Sequence, residues 1–120
     1  MPSMPPIVRV ALIRCNSENF AGLSDKMEKS ESILRPGIEA LPGLLAFYAG
    51  SDQETLSLLN VSIWDSIEHA RQLDTFEPMV RLAREFVDEG GRPERPIMHH
   101  HMQWSFGPHA IKVPELATRV

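Results

Sequence analysis

The sequence predicts an α+β domain of βαββαβ order, with a four-stranded antiparallel sheet and its helices on one face. Three observations predict it. Four short apolar runs, at residues 7–15, 44–50, 55–64 and 97–106, alternate with two long stretches of helical periodicity. The second and third runs are separated only by SDQE, a turn of hairpin length. A chain of 120 residues holds one core of ordinary size and has no room for two.

The elements follow in order. Residues 1–6 (MPSMPP) read as a proline-stiffened arm. Residues 7–15 (IVRVALIRC) are rich in β-branched and aliphatic side chains, with Val8, Val10 and Leu12 on one face and Ile7, Ala11 and Ile13 on the other, so the first strand is apolar on both sides. A helix follows with Ser17 as its N-cap and Phe20, Leu23, Met27 and Leu34 near a helical period. Pro36 and Gly37 are expected to interrupt it, because proline removes an amide donor and clashes with the preceding turn. The hairpin strands LLAFYAG and TLSLLNVSIW come next. Asp65 or Ser66 then caps a helix carrying Ile67, Ala70 and Leu73, and a break near residues 74–77 leads to a second amphipathic segment with Pro78 in its first turn. The loop DEGGRPERP stops that helix, and IMHHHMQWSF forms the last strand, leaving residues 107–120 as a tail. The domain proper is thus expected at 7–106.

Composition excludes several classes of function. Hydrophobic residues are 42% and charged residues 23% of the chain, ordinary for a globular protein. The formal charge is -4 with both signs interspersed, so no basic stripe exists to follow a nucleic-acid backbone. A lone cysteine, Cys15, permits no internal disulfide, and no signal-like or membrane-length apolar segment is present, which makes the expected location cytoplasmic.

Two helical segments can cover only one face of such a sheet, yet three strands are apolar on both faces. The split βαβ, ferredoxin-like arrangement therefore leaves an apolar surface, and about 800 Å² buried per partner is what a stable association needs. A homodimer stacking sheet on sheet is the expected solution, with cover by the arm or the tail as the alternative.

The residues Asn60-Val-Ser-Ile-Trp64-Asp65-Ser66 after the hairpin, with Leu41-Pro42-Gly43-Leu44-Leu45 before it, resemble the antibiotic biosynthesis monooxygenase (ABM) family of the dimeric α/β barrel superfamily. The resemblance spans residues 7–106 as a pattern of elements. In members that oxidise polycyclic phenols without metal or flavin, an asparagine and a tryptophan four residues later point into a pocket between sheet and helices, as Asn60 and Trp64 would. The resemblance also implies an arginine on the last helix, where Arg84 or Arg81 stands. Where such members carry a tyrosine after the tryptophan, this chain has Ile67, His69 and Ala70, and Tyr48 or His69 is the polar group that could serve the same cavity.

The residues have readings of their own. Asn60 interrupts a buried apolar strand, so its amide must find partners or cost about 1–3 kcal/mol. It holds either a substrate oxygen or the neighbouring backbone. Trp64 is either a wall for a flat aromatic ligand or an anchor for the helix that follows. His99 and His101 share one strand face, with His100 on the other, and two imidazoles at that spacing could share an ion. A third ligand would have to come from His69, His109 or a carboxylate, and no motif completes the set. The expectation is therefore no metal and no cofactor, with His99 and His101 lining a polar part of the barrel or its seam. Two functions are open: a cofactor-independent oxidation of a phenolic or quinol-type aromatic substrate by dioxygen, and a binding module for a small aromatic ligand without turnover.

Overall fold

The computed structural model describes residues 4–113. Residues 1–3 of the expected arm and 114–120 of the expected tail lie outside the described residues. The chain folds into an antiparallel sheet with its helices on one side, in the order the sequence predicts.

Strand β1 (Ile7–Arg14) is central and pairs along its whole length with β3 (Ser57–Trp64), which pairs in turn with β2 (Leu44–Asp52). Strand β2 runs two residues beyond its expected end because Asp52 closes the turn. Its Oδ1 accepts from the Glu54 amide at 3.2 Å and its Oδ2 from the Thr55 hydroxyl at 2.7 Å. A register shift between Leu44 and Ala46 changes the face of β2 predicted by simple alternation. Leu44 and Phe47 both pack on the core, whereas Leu45 is 47% exposed.

Helix α1 (Ser17–Glu39) corrects two expectations. Asn16 occupies the N-cap position and Pro36 lies inside an unbroken helix. The buried residues Leu23, Ser30, Leu34 and Ile38 share one stripe, and ending the helix at Pro36 would turn Ile38 off it. Burying an isoleucine is worth about 1.5–3 kcal/mol, comparable with the cost of a proline in a helix interior. Gly37 makes a second contact possible, since a Cβ there would lie 2.5 Å from the Phe76 ring, which packs against the helix at that point.

Helix α2 (Ile67–Ala70) is capped by Ser66, whose hydroxyl accepts from the His69 amide at 3.1 Å. A 3₁₀ turn (Arg71–Asp74) leads to α3 (Glu77–Asp88), with Pro78 in its first turn as expected. Gly43, at φ +83°, meets the start of this unit. A Cβ there would run into His69 and Asp65, which are bonded to each other at 2.6 Å.

The last strand is the main departure. A short strand, β4 (Arg92–Pro93), forms inside the segment expected as a loop, and it and β5 (Met98–His101) pair with opposite ends of β1 on the same edge. β5 also stops short of its expected end at Phe106. The Met102 amide still donates to the Pro6 carbonyl at 2.8 Å, but Pro6 and Pro5 have no N–H to continue a ladder. Trp104 and Phe106 lie beyond it, 67% and 83% exposed, with rings stacked at 5.4 Å.

The helix-free face carries the cross-strand pairs Val8–Ile63, Val10–Val61 and Leu12–Leu59, with Met98 beside Val10 and Tyr48 beside Val61. Among the described residues no helix is long and apolar enough to cross a membrane.

Candidate functional site

Side chains of a strand alternate between faces, so the helix-facing positions of β1 are Ile7, Arg9, Ala11 and Ile13. Opposite them on β3 stand Trp64, Ser62, Asn60 and Leu58. The two ends of this double row are large and apolar. Ile7 and Trp64 belong to one core cluster with Leu34, Ile38 and Leu73; Leu58 belongs to the other with Cys15, Leu23 and Phe86. The middle is polar or small. The helices are therefore clamped at both ends of the sheet and have nothing to pack on between them.

The result is a cleft of ≈ 1620 Å³ between the sheet and helices α1 and α3. Its walls include Met27, Leu34, Phe47 and Met79, and its floor carries Arg9, Asn60 and His99. The gap between β4 and β5 opens onto it, since Arg95, Pro96 and Ile97 also line it.

Every buried side-chain nitrogen or oxygen without a hydrogen-bond partner among the described residues lies on that floor: Arg9 Nε, Asn60 Oδ1 and His99 Nε2. Arg9 and His99 are directly opposed across β1 and β5, and Asn60 is diagonal to Arg9 across β1 and β3. The Arg9 side chain is only 4% exposed, and its single ion pair runs from Nη2 to Asp74 Oδ1 at 3.3 Å. Burial lowers the pKa of its guanidinium despite that partner, although an arginine stays charged at any ordinary pH. His99 is pushed down as well, first by burial and then by the Arg9 charge, with Arg71 adding to the effect and Asp74 opposing it. The neutral form of the imidazole is favoured by both effects. A buried polar atom without a partner costs about 1–3 kcal/mol, and such groups mark sites that a ligand satisfies.

The structure divides the residues singled out from the sequence. Asn60, Arg84 and His99 line the cleft; Trp64, Tyr48, His69 and His101 do not. Trp64 is fully buried in the core, where its indole N–H donates to the Ser62 hydroxyl at 2.8 Å, so the ring anchors the helices instead of facing a ligand. Tyr48 is 57% exposed on the opposite face of the sheet. His69 is engaged by Asp65 at the start of α2. His101 sits opposite Ile7 at the end of β5, exposed and away from His99's surroundings. No group of three or more His, Cys, Asp or Glu among the described residues is arranged to hold a metal ion.

Arg9 is the residue that sequence reasoning missed. Its signal was present, because a charged side chain shares the parity of Ile7, Ala11 and Ile13 in a strand buried on that face.

No family model matches the sequence and no curated protein matches it. Solved structures do match its fold. A monooxygenase from the ActVA-Orf6 gene of Streptomyces coelicolor, solved with nanaomycin D, superposes with a TM-score of 0.64 over 88% of this chain and 93% of its own, at 14% identity. The chain has the antibiotic biosynthesis monooxygenase fold. SnoaB, a cofactor-independent oxygenase from Streptomyces nogalater, shares that fold with a TM-score of 0.55 over 87% of this chain and 97% of its own, at 11% identity. A candidate antibiotic biosynthesis monooxygenase from Deinococcus radiodurans shares it at 10% identity, with a TM-score of 0.64 over 84% of this chain and 96% of its own. At such identities the ABM likeness is one of fold, and the chemistry has to be argued from the side chains.

Proposed function

We propose that the chain is an ABM-type small-molecule monooxygenase that oxidises a phenolic or quinol-type aromatic substrate with dioxygen, without a metal or flavin. The observation that carries this reading is the convergence of unpartnered Arg9 Nε, Asn60 Oδ1 and His99 Nε2 on one cleft with apolar walls. Flat aromatic ligands fit such walls; a ligand oxygen can accept from Arg9 Nε, and ligand hydroxyls can donate to Asn60 Oδ1 and His99 Nε2.

The chemistry follows from the protonation states. Neutral His99 accepts a proton from an activated phenol or from an acidic CH₂ beside an aromatic carbonyl. Arg9 Nε–H and the Asn60 Nδ2–H donate to the oxygen on which the negative charge settles, and the walls exclude water. The electron-rich anion then reduces dioxygen. At a CH₂ centre, carbon bonds to one oxygen to give a hydroperoxide, and loss of water breaks the O–O bond to leave a carbonyl. One oxygen atom ends in the product and one in water. Arg84, which is exposed on α3 and lines the cleft, would meet a polar substituent of the substrate.

Oxygen uptake with 1,8-dihydroxyanthrone in chelator-treated buffer tests the reading. Uptake above the protein-free rate is expected, with a loss of at least about tenfold in Asn60→Leu and in His99→Gln. Binding without uptake would favour the non-catalytic module, a reading that gains from Trp64 and Tyr48 lying off the cleft.

We further propose that two copies pack through the helix-free faces. The row Val8–Ile63, Val10–Val61, Leu12–Leu59, with Met98 48% and Tyr48 57% exposed at its flanks, supports this. Sedimentation equilibrium at micromolar concentration is expected to give twice the chain mass; a stable single chain would remove the dimeric barrel.

A further inference from the structure

We infer that the floor of the cleft around Arg9 is a binding site for a carboxylate carried by an aromatic ligand. The inference rests on reading the cleft as the ligand site, and it adds a charge requirement that the oxygenase chemistry does not need.

The first observation is Arg9 itself. A guanidinium with 4% of its side chain exposed is matched by one contact to Asp74, which is itself 48% exposed and so largely solvated. Nε has no acceptor. A buried arginine is ordinarily held by a carboxylate through two parallel N–H donations, and Asp74 provides one.

The second observation is the charge around it. Arg95 and Arg71 also line the cleft, and both act electrostatically on this spot, Arg95 on Arg9 and Arg71 on His99. Of the carboxylates that line the cleft, Glu31 and Glu39 pair with Arg35, Glu28 and Asp88 stand on the helices, and Asp74 is the one that acts on Arg9 and His99. Glu94, the nearest acid in sequence to Arg95, also lines the cleft but is paired with Arg14. Arg71 and Arg95 are exposed, so they draw an anion toward the gap between β4 and β5, and buried Arg9 is where it would be held.

A carboxylate satisfies this arrangement better than a neutral hydroxyl does. It accepts from Arg9 Nε, supplies the second carboxylate contact that Asp74 does not, and leaves its aromatic body against Met27, Leu34 and Phe47. It also bears on His99, because an anion beside the ring opposes the effect of Arg9 and so stabilises the imidazolium that forms once the neutral ring has taken the substrate's proton.

The test is calorimetric titration of the full chain with 2-naphthoate and its neutral counterpart 2-naphthamide. Wild type is expected to bind the acid at least about tenfold more tightly, equivalent to about 1.4 kcal/mol. Arg9→Gln is expected to abolish that preference, and the double variant R71Q/R95Q to reduce it by about threefold and weaken its salt dependence. Equal affinity for the two ligands, no binding of either, or a preference that survives Arg9→Gln would overturn the inference. Should Arg9→Gln fail to fold, the exposed double variant decides, and a preference unchanged by it and by added salt overturns the inference equally. Oxygen uptake on neutral dihydroxyanthrone is a separate readout. Uptake without acid preference rejects the carboxylate site alone, and acid preference without uptake rejects the oxygenase reading alone.

Discussion

The two ends of the helix-facing sheet and its middle are built from the same strands, yet they obey opposite rules. At the ends, Ile7 with Trp64 and Ile13 with Leu58 present large apolar groups that the helices bury. In the middle, Arg9, Ala11 and Asn60 present polar or small groups that line the cleft, while Ser62, opposite Arg9, is buried and bonded to Trp64. Stability belongs to the ends and ligand chemistry to the middle. A cleft of this kind needs no special loop or insertion, only two pairs of positions at which a strand withholds its hydrophobic side chain.

The largest effect is expected at an end. Trp64→Ala removes the largest fully buried side chain and the partner of the buried Ser62 hydroxyl, and should destabilise the fold by about 3–5 kcal/mol in urea titration. A cost under about 1 kcal/mol would mean that Trp64 faces a ligand space after all. Gly37→Ala comes next. A Cβ there approaches Phe76 to 2.5 Å, and the overpacking should cost about 1–3 kcal/mol, outweighing the helix propensity that alanine gains over glycine. A stabilised variant would show that the Phe76 ring yields freely and that this end is less tightly clamped than its geometry implies.

The middle should respond with the other sign. Asn60→Leu replaces an amide whose Oδ1 has no partner by an apolar group of similar size, beside Ala11 and Ala49. Unfolding should become harder by about 1 kcal/mol while ligand binding is lost. Equal losses of stability and binding would instead make Asn60 a structural amide.

The ends were legible from the sequence because their logic is periodicity. Leu58, Trp64, Leu34 and Phe86 repeat at strand or helix spacing and announce a buried face. The helix break after Leu73 was legible for the same reason, with Pro78 marking the new first turn. Pro36 misled because its local cost is read from one residue, while the burial of Ile38 that offsets it is tertiary. The short strand β4 inside the expected loop was not legible, since it depends on which stretch of β1 that segment reaches. In the site, Asn60 stood out as an amide in an apolar run; Tyr48 and His69 were offered by residue type, which does not report face, and His101 by its shared face with His99, which does not report how far along the strand the cleft extends. Arg9 was passed over because a single charge in a strand is easily assigned to solvent. Its exclusion from solvent comes only from Asp74 and the helices above it.

The smallest effect tests whether the middle is dry. In the folded chain the pKa of His99 lies below its ordinary 6.5, owing first to burial and then to Arg9 on β1, with Arg71 on the 3₁₀ turn adding and Asp74 on the same turn opposing. Between those two values the unfolded chain takes up a proton that the folded chain refuses, so this residue's contribution to stability is present above about pH 6.5 and falls as pH drops through that window. His99→Gln removes the proton acceptor and should flatten the acid limb there by less than the one-proton maximum of about 1.4 kcal/mol per pH unit. Urea midpoints of variant and wild type at a few values between about pH 7.5 and 5 measure the difference, because the other carboxylates and histidines are common to both chains. Parallel acid limbs would mean that water reaches the ring as freely as in the unfolded chain, and then His99 Nε2 could not count as an unmet acceptor waiting for a ligand.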